Sequence, residues 1–375
     1  MTKLGFLSTY PPTRCGLATF TEALAGAMAY PGSRQACVVR VVDEPTPLNE
    51  RRFGRRAVIA ELVAGDALGR SASIQVLNGF DVVIVQHEYG IYGGPDGDEI
   101  VDVLEGVTAP TIVVFHTVLD APTVHQKQVL ERVAELGTSL VVMSDQALAN
   151  LARYDVPMRK VRLIPHGVPE SSFAAHDRPL GHRVLTWGLI GPGKGIEWGI
   201  RAMAELADML PRPEYVVVGK THPKVLAHAG EAYRESLEQI VAHLHLENVV
   251  TFVDEYLDAH QLARYVDSAD VVLVPYDSKD QVTSGVLVEA VAAGKPVIST
   301  RFPHAVELLQ NGAGVIVDQQ DATQIADAIR GILGHAGRAA EMSAAASRVS
   351  VGTGWPEVAQ QYWQLAESIL TVHAA

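Results

Sequence analysis

Short runs of β-branched residues, each bounded by turn residues, alternate along the whole chain with longer stretches whose apolar residues recur at helical spacing. Parallel strands need long crossover connections, which helices supply, so this alternation predicts βαβ units around parallel sheets. In the first half the strand candidates are Lys3–Ser8, Ala36–Val42, Asp81–Gln86, Thr111–His116, Leu140–Met143 and Val161–Ile164. In the second half they are Arg183–Gly188, Tyr215–Val218, Val249–Val253, Val271–Val274, Pro296–Ser299 and Gly314–Val317. Each set suffices for its own doubly wound sheet, and 375 residues with 48% hydrophobic and 19% charged side chains can bury two cores.

Between the sets lie Pro165-His166-Gly167-Val168-Pro169 and a polar stretch through His182, which read as an interdomain linker. The expected domains are therefore 1–172 and 180–350. A final helical stretch, Pro356 to Thr371, follows a gap rich in Ala, Ser and Gly, within which Ala339–Ala346 reads as helix.

Against 30 Lys+Arg stand 43 Asp+Glu, a formal charge of −13. Such a chain has no general attraction for nucleic acid or anionic lipid, so an anionic ligand must be held by local positive groups. Cys15 and Cys37 cannot make a disulfide framework or a four-thiolate metal site, and a reducing cytoplasm is the expected location. The start lacks the features of a signal peptide, and no apolar run reaches the ~18–20 residues of a membrane span. The cluster Arg51-Arg52-Phe53-Gly54-Arg55-Arg56 reads as a solvated loop, with weak peripheral contact at the inner membrane face left open.

Four places carry polar or glycine-rich chemistry at predicted strand ends. Gly16, within the segment Pro11 to Thr21, follows the first strand and opens a helix. Such a turn either lets backbone N–H groups approach a phosphate or hydroxyl, or simply needs glycine for its backbone angles. The second place joins two successive strand ends: Gln86-His87-Glu88-Tyr89-Gly90 with Gly93-Gly94 follows the apolar Val82–Val85, and Phe115-His116-Thr117 ends the next strand. Open α/β sheets collect ligand groups there, and a buried His or Glu requires partners, so these are binding groups or satisfied structural ones.

The third place, Gly188-Leu189-Ile190-Gly191-Pro192-Gly193-Lys194-Gly195, fills the first seven positions of a phosphate-cradling loop, but Gly195 stands where a magnesium-binding Ser or Thr is required. An ATPase or kinase is thereby disfavoured, leaving the amides around Gly193 and the Lys194 ammonium as a site suited to a diphosphate. The fourth runs from Tyr276 to Thr300. An apolar strand ends, Ser284-Gly285 opens an amphipathic helix, Glu289 sits about a turn and a half inside, and Gly294 terminates it. The amides of Ser284, Gly285 and Val286 suit an anionic group, and the Glu289 carboxylate suits two ribose hydroxyls.

In this order, the Gly16 loop, the His116 strand end, Ile164-Pro165-His166-Gly167-Val168, Lys194-Gly195 and the run Glu289 to Val297 resemble the retaining glycosyltransferases of family 4. That family has the GT-B fold, in which two Rossmann-like, doubly wound parallel-sheet α/β domains face each other across a cleft. Gln86 to Gly90 and Ser284-Gly285 are similar to a mannosyltransferase-like subgroup. The resemblance implies that Lys194 binds the donor diphosphate, that Glu289 holds the ribose as the later Glu of a Glu-x7-Glu signature, and that His116 lies against the transferred sugar. It places Gly16 near donor phosphates and acceptor, has Glu88 holding sugar or acceptor beside His116, and returns a C-terminal helix, 355–375, to the first domain. Two positions depart from the pattern. The signature's first Glu falls on Gln281, with the Asp280 carboxylate beside it, and Leu189 replaces the arginine that accompanies the lysine.

The implied activity moves a hexose, mannose favoured, from GDP-mannose or a UDP-sugar to a hydroxyl of a glycan or lipid-linked acceptor, with retention and no covalent intermediate. His116, Lys194 and Glu88 are the catalytic candidates, and no cofactor or metal is expected. No Asp-x-Asp pair stands in a metal-bridging setting, and His243 and His245 fall on opposite faces of a helical segment. Three competing readings are a nucleotide-sugar epimerase, a P-loop phosphohydrolase disfavoured by Gly195, and a nucleotide-sugar-binding homologue without catalysis, suggested by Leu189 and Gln281.

Overall fold

The computed structural model describes residues 2–29, 35–46, 58–169, 182–279 and 281–373. The chain divides into two compact units, Met1–Pro169 with Gly352–Ala375, and Glu170–Val351. The Arg51–Arg56 cluster, Asp280 and most of the predicted linker lie outside the described residues.

The first unit is built on β1 (Lys3–Ser8), β2 (Gln35–Val42), β3 (Val58–Val63), β4 (Val82–His87), β5 (Thr111–Phe115), β6 (Ser139–Val142) and β7 (Val161–Leu163), in the spatial order β3-β2-β1-β4-β5-β6-β7. All six pairings are parallel. A parallel sheet is covered by helices on both faces, which is why β4 is buried along its whole length and begins Val-Val-Ile-Val without alternation.

β3 has no counterpart among the sequence expectations. It is an edge strand, only partly buried, and carries a charge in its middle. That charge is part of what holds it: Glu61 stands opposite Arg40 in the register and forms an ion pair with its buried guanidinium. Burial pushes the Glu61 carboxyl up, but hydrogen bonds from Arg40 and Thr46 and the Arg40 charge bring it below its ordinary value.

The helix Trp355–His373 returns to this unit and packs on the helix Gly16–Met28. Val358, Tyr362, Ala366 and Ile369, spaced three or four apart, form its buried stripe. Trp363 Nε1–H donates to the Met28 carbonyl at 2.9 Å. Residues 165–169, assigned to a linker by their prolines, are instead fixed within the unit. The Val168 amide donates to the Thr353 carbonyl at 2.9 Å, and the Trp355 amide to the Val168 carbonyl at 3.0 Å. The Trp355 indole lies directly over Gly167, in the space a Cβ would occupy.

The second unit contains β8 (Arg183–Trp187), β9 (Glu214–Val218), β10 (Val250–Val253), β11 (Val271–Val274), β12 (Val297–Thr300) and β13 (Gly314–Val317), in the order β10-β9-β8-β11-β12-β13, again all parallel. One face packs on Ile200, Met203, Leu237 and Ile329, the other on Leu287, Val291, Phe302 and Leu309. In both sheets the strand order reverses once, between β1 and β4 and between β8 and β11, and the crevice outside the carboxyl ends at such a point is where open sheets bind ligands.

The Gly167–Trp355 approach makes a prediction. Gly167→Ala should destabilise the chain by about 1–3 kcal/mol, the usual cost of overpacking, seen as a lower urea midpoint with little change in slope. An unchanged midpoint would show that the indole is not held there.

Candidate functional site

In the first unit the polar groups gather at the ends of β4 and β5. Gln86 pairs with Val114 and His87 with Phe115, so Gln86 and Glu88 share one face while His87 points to the other. On the shared face two rungs connect the strands. His116 Nε2 lies 2.7 Å from Gln86 Oε1, and the Thr117 hydroxyl donates to Glu88 Oε2 at 2.6 Å. Glu88 Oε1 also accepts from the Tyr89 amide at 3.0 Å. Burial raises the Glu88 carboxyl above its ordinary pKa, and the Thr117 and Tyr89 hydrogen bonds pull the other way.

The motif beyond Glu88 folds around the same strand end. Tyr92 donates its hydroxyl to the Gln86 carbonyl at 2.7 Å, and the buried Glu99 carboxylate accepts the Gly93 and Gly65 amides at 2.9 and 3.0 Å. Phe20, from the helix opened by Gly16, meets His116 and His166 edge-on at 4.8 and 5.0 Å. His166 Nδ1 is 2.7 Å from the Gly167 carbonyl, which can only accept, so the ring carries its hydrogen there. Three imidazoles are held neutral chiefly by burial: His87 and His166 are pushed down to about 4 and His116 to about 3, the last aided by its two histidine neighbours.

Gly16 differs from the simpler reading of its turn. It is the first residue of the helix, has no left-handed φ, and an added Cβ would meet nothing within 4 Å. Neither backbone angle nor internal packing demands glycine, so the space above it is open.

In the second unit the corresponding groups stand at the ends of β8 and β11. The turn after β8 is tied to the end of β11 by the Asp277 amide, which donates to the Gly193 carbonyl at 3.0 Å. Gly193 has φ +85° and open space at its Cβ position. Lys194 Nζ sits 4.2 Å from the centroid of the Tyr276 ring, which stacks on Phe302. Lys194 has no ion-pair partner among the described residues. Its charge and that of Lys224 both lower the His222 imidazole, beneath the larger effect of burial, so Lys224 is a second cation near this turn, where Leu189 supplies none.

The helix Gly285–Ala292 starts against Gly188, whose Cβ position lies 3.6 Å from Val286 Cγ2. Ser284 caps it, its hydroxyl accepting from the Leu287 amide at 3.3 Å. Of the three amides expected to face an anion, that of Ser284 is already used: it donates to His304 Nδ1 at 2.9 Å. The Gly285 and Val286 amides keep the helix-start positions. Gln281 Nε2 donates to the Thr283 carbonyl at 3.0 Å, so half of its amide shapes its own loop. Burial pushes the half-buried Glu289 carboxyl up to about 7, while a hydrogen bond from the Trp187 indole pulls it down.

Sequence reasoning did not foresee Tyr276 beneath Lys194, Trp187 beside Glu289 or His304 behind Ser284. The first two are aromatic strand-end residues, a signal present in the sequence; His304 lies across β12 and had none. Among the described residues no group of three His, Cys, Asp or Glu side chains is arranged to hold a metal, and no helix is long and apolar enough to cross a membrane.

The chain superposes on Anabaena HepE, solved in complex with UDP and glucose, with a TM-score of 0.74 at 16% identity, covering 98% of this chain and 100% of that one. On sucrose-phosphate synthase from Thermosynechococcus elongatus the TM-score is 0.75 at 19% identity, covering 99% and 100%. The fold is GT-B. Within it, residues 181–335 match the family Glycosyl transferases group 1. In sequence the chain is 30% identical over 255 residues to the D-inositol 3-phosphate glycosyltransferase of Kineococcus radiotolerans, covering 61% of this chain and 57% of that protein. The enzyme of the same name from a Nocardioides species is 29% identical over 251 residues, covering 62% and 54%. The chain spans a little over half the length of these curated relatives.

The neutral histidines of the GT-B first unit set its acid behaviour. Their native pKa values lie below the ordinary 6.5, so the unfolded chain binds more protons as pH falls. Stability is full above pH 6.5 and drains away on the way down to about pH 3–4. His87→Leu should therefore lose about 2 kcal/mol less than the parent between pH 7 and 4.5, measured by urea unfolding at both. Parallel losses would refute it.

Proposed function

We propose that the chain is a retaining glycosyltransferase that moves a hexose from a nucleoside diphosphate sugar to an acceptor hydroxyl without a metal. One observation carries the reading. An ammonium with no ion-pair partner among the described residues, the helix-start amides of Gly285 and Val286, and the Glu289 carboxyl stand together at the switch point between β8 and β11. Lys194 and the amides around Gly193, Gly285 and Val286 suit a diphosphate, and Glu289 suits the ribose hydroxyls.

Charge stabilisation of a departing diphosphate is the protein's main task in such a reaction. The bond from the anomeric carbon to the diphosphate breaks, the acceptor oxygen bonds to the same face, and its proton passes to a donor phosphate oxygen. Gly16, with its open space, and Gln281, with its remaining amide capacity, serve donor and acceptor placement; His116 and Glu88 hold the sugar or acceptor. Mannose is favoured by the Gln86 to Gly90 resemblance, while HepE was solved with UDP and glucose, so GDP-mannose and UDP-glucose both belong in the test. A glycan or lipid-linked precursor is the acceptor class, in the cytoplasm.

Calorimetric titration with UDP, GDP and their sugars should show saturable binding to one series. Lys194→Ala should weaken it about 10–100-fold, the loss expected of a charge-assisted contact. Absence of binding to every nucleotide sugar, or binding indifferent to the double change Lys194→Ala and Glu289→Ala, would sink the proposal.

Glu289 adds a proton signature. Ribose hydroxyls donate to the ionised carboxylate, so binding lowers a pKa that otherwise stands at about 7. Affinity should rise as pH climbs through 7, with proton release at pH 6–7 detected by comparing buffers of different ionisation enthalpy, and Glu289→Gln should abolish the release.

A further inference from the structure

Gln86 is fully buried, yet nothing above uses it except as a neighbour of His116. Its amide nitrogen has no partner among the described residues, and such a buried orphan costs stability. Its side-chain hydrogen bond among the described residues is the 2.7 Å approach of Oε1 to His116 Nε2. A carbonyl oxygen can only accept, so the hydrogen of the neutral ring must sit on Nε2. Nδ1 is then a bare acceptor, and no hydrogen bond to it is seen among the described residues. The edge-on contact with Phe20 fixes the ring plane, leaving the tautomer to Gln86.

We propose that Gln86 is a positioning residue that locks His116 as the Nε2–H tautomer, so that Nδ1 accepts a hydrogen bond from a hydroxyl of the sugar being transferred. This rests on the transferase reading above. It explains why the sheet tolerates an orphaned amide where an apolar side chain would pack without loss, and it gives the Gln of Gln86-His87-Glu88 a role distinct from the Glu88–Thr117 rung beside it. The titratable groups facing His116 are His87 at the end of β4, His166 across Phe20, and Glu88 on the shared face. A carboxylate at position 86 would add to them and favour the imidazolium.

The test uses the full chain with three variants, Gln86→Leu, Gln86→Glu and Gln86→Asn. Nitrogen-15 NMR of the imidazoles in the unliganded protein should show His116 protonated on Nε2 in the parent and moved to Nδ1, or to a mixture, in Gln86→Leu. Thermal stability of that variant should stay close to the parent's, since the orphaned amide is removed together with the acceptor of His116 Nε2. Its kcat for transfer should fall about 10–100-fold while UDP or GDP binds unchanged. Gln86→Glu should retain the Nε2–H contact and shift the acid limb of the rate profile upward. If Gln86→Leu fails to fold, Gln86→Asn, too short to reach the ring, takes its place and should show the same tautomer change. An unaltered tautomer, or a transfer rate within twofold of the parent despite an altered one, overturns the proposal. A parent that transfers no sugar from any donor fails the transferase reading instead, while the NMR result still decides whether Gln86 sets the tautomer.

Discussion

Parallel pairing is the constraint on which the rest of this molecule depends. When every strand runs the same way, every connection must cross back over the sheet, and all carboxyl ends emerge on one edge. Where the strand order reverses, successive crossovers depart in opposite directions and leave a crevice between them. β1 and β4 flank one such point and β8 and β11 the other. The interior offers no alternative place for polar chemistry, because strands covered on both faces admit apolar residues almost exclusively. β4 stays apolar for four residues and turns polar only at Gln86 and His87. The groups assigned to the donor and to the sugar lie at or just beyond these ends.

The same constraint explains what was legible in the sequence. Doubly covered strands are near-continuous Val, Ile and Leu runs, so the twelve expected strands all appear in the two sheets. β3 escaped because an edge strand is covered less completely and β3 is held partly by the Arg40–Glu61 pair, a charge that reads as loop until its partner is known. Residues 165–169 were legible as proline-rich and non-helical, but what fixes them is Trp355, far along the chain, so composition pointed to a linker where packing makes a clasp. Within the candidate sites, strand-end position was readable and hydrogen-bond partnership was not. Ser284 has the signature of a cap, yet whether its amide faces a ligand depends on His304, on a different crossover.

Glycines divide along the same line. Gly167 is filled by a neighbour and is structural in the strict sense that a methyl group has no room. Gly16 and Gly193 face open space, and Gly16 lacks even a φ that favours glycine. A glycine with neither steric nor conformational reason inside its own unit leaves room for something to approach the backbone closely, as the proposed donor would at Gly16. That distinction cannot be drawn from sequence, where all three simply break a pattern.

Electrostatics follow from burial more than from overall composition. If a chain of net charge −13 is to take up a dianionic nucleotide sugar, as proposed, it needs local fields that are not cancelled in place. Lys194 rests on an aromatic ring, which supports a cation without neutralising it. Glu289, the carboxyl proposed to hold the ribose, is pushed to about 7 by burial, so near neutral pH it is ionised only part of the time. In the proposed reaction an approaching diphosphate would therefore meet the ammonium and helix-start amides with less opposition than a fully ionised glutamate would give. In the same proposal, ribose hydroxyls donating to Glu289 would pair its negative charge with hydrogen-bond donors. Burial thus separates in time two requirements that conflict in space, attraction of an anion and recognition by an anion, on a helix of eight residues.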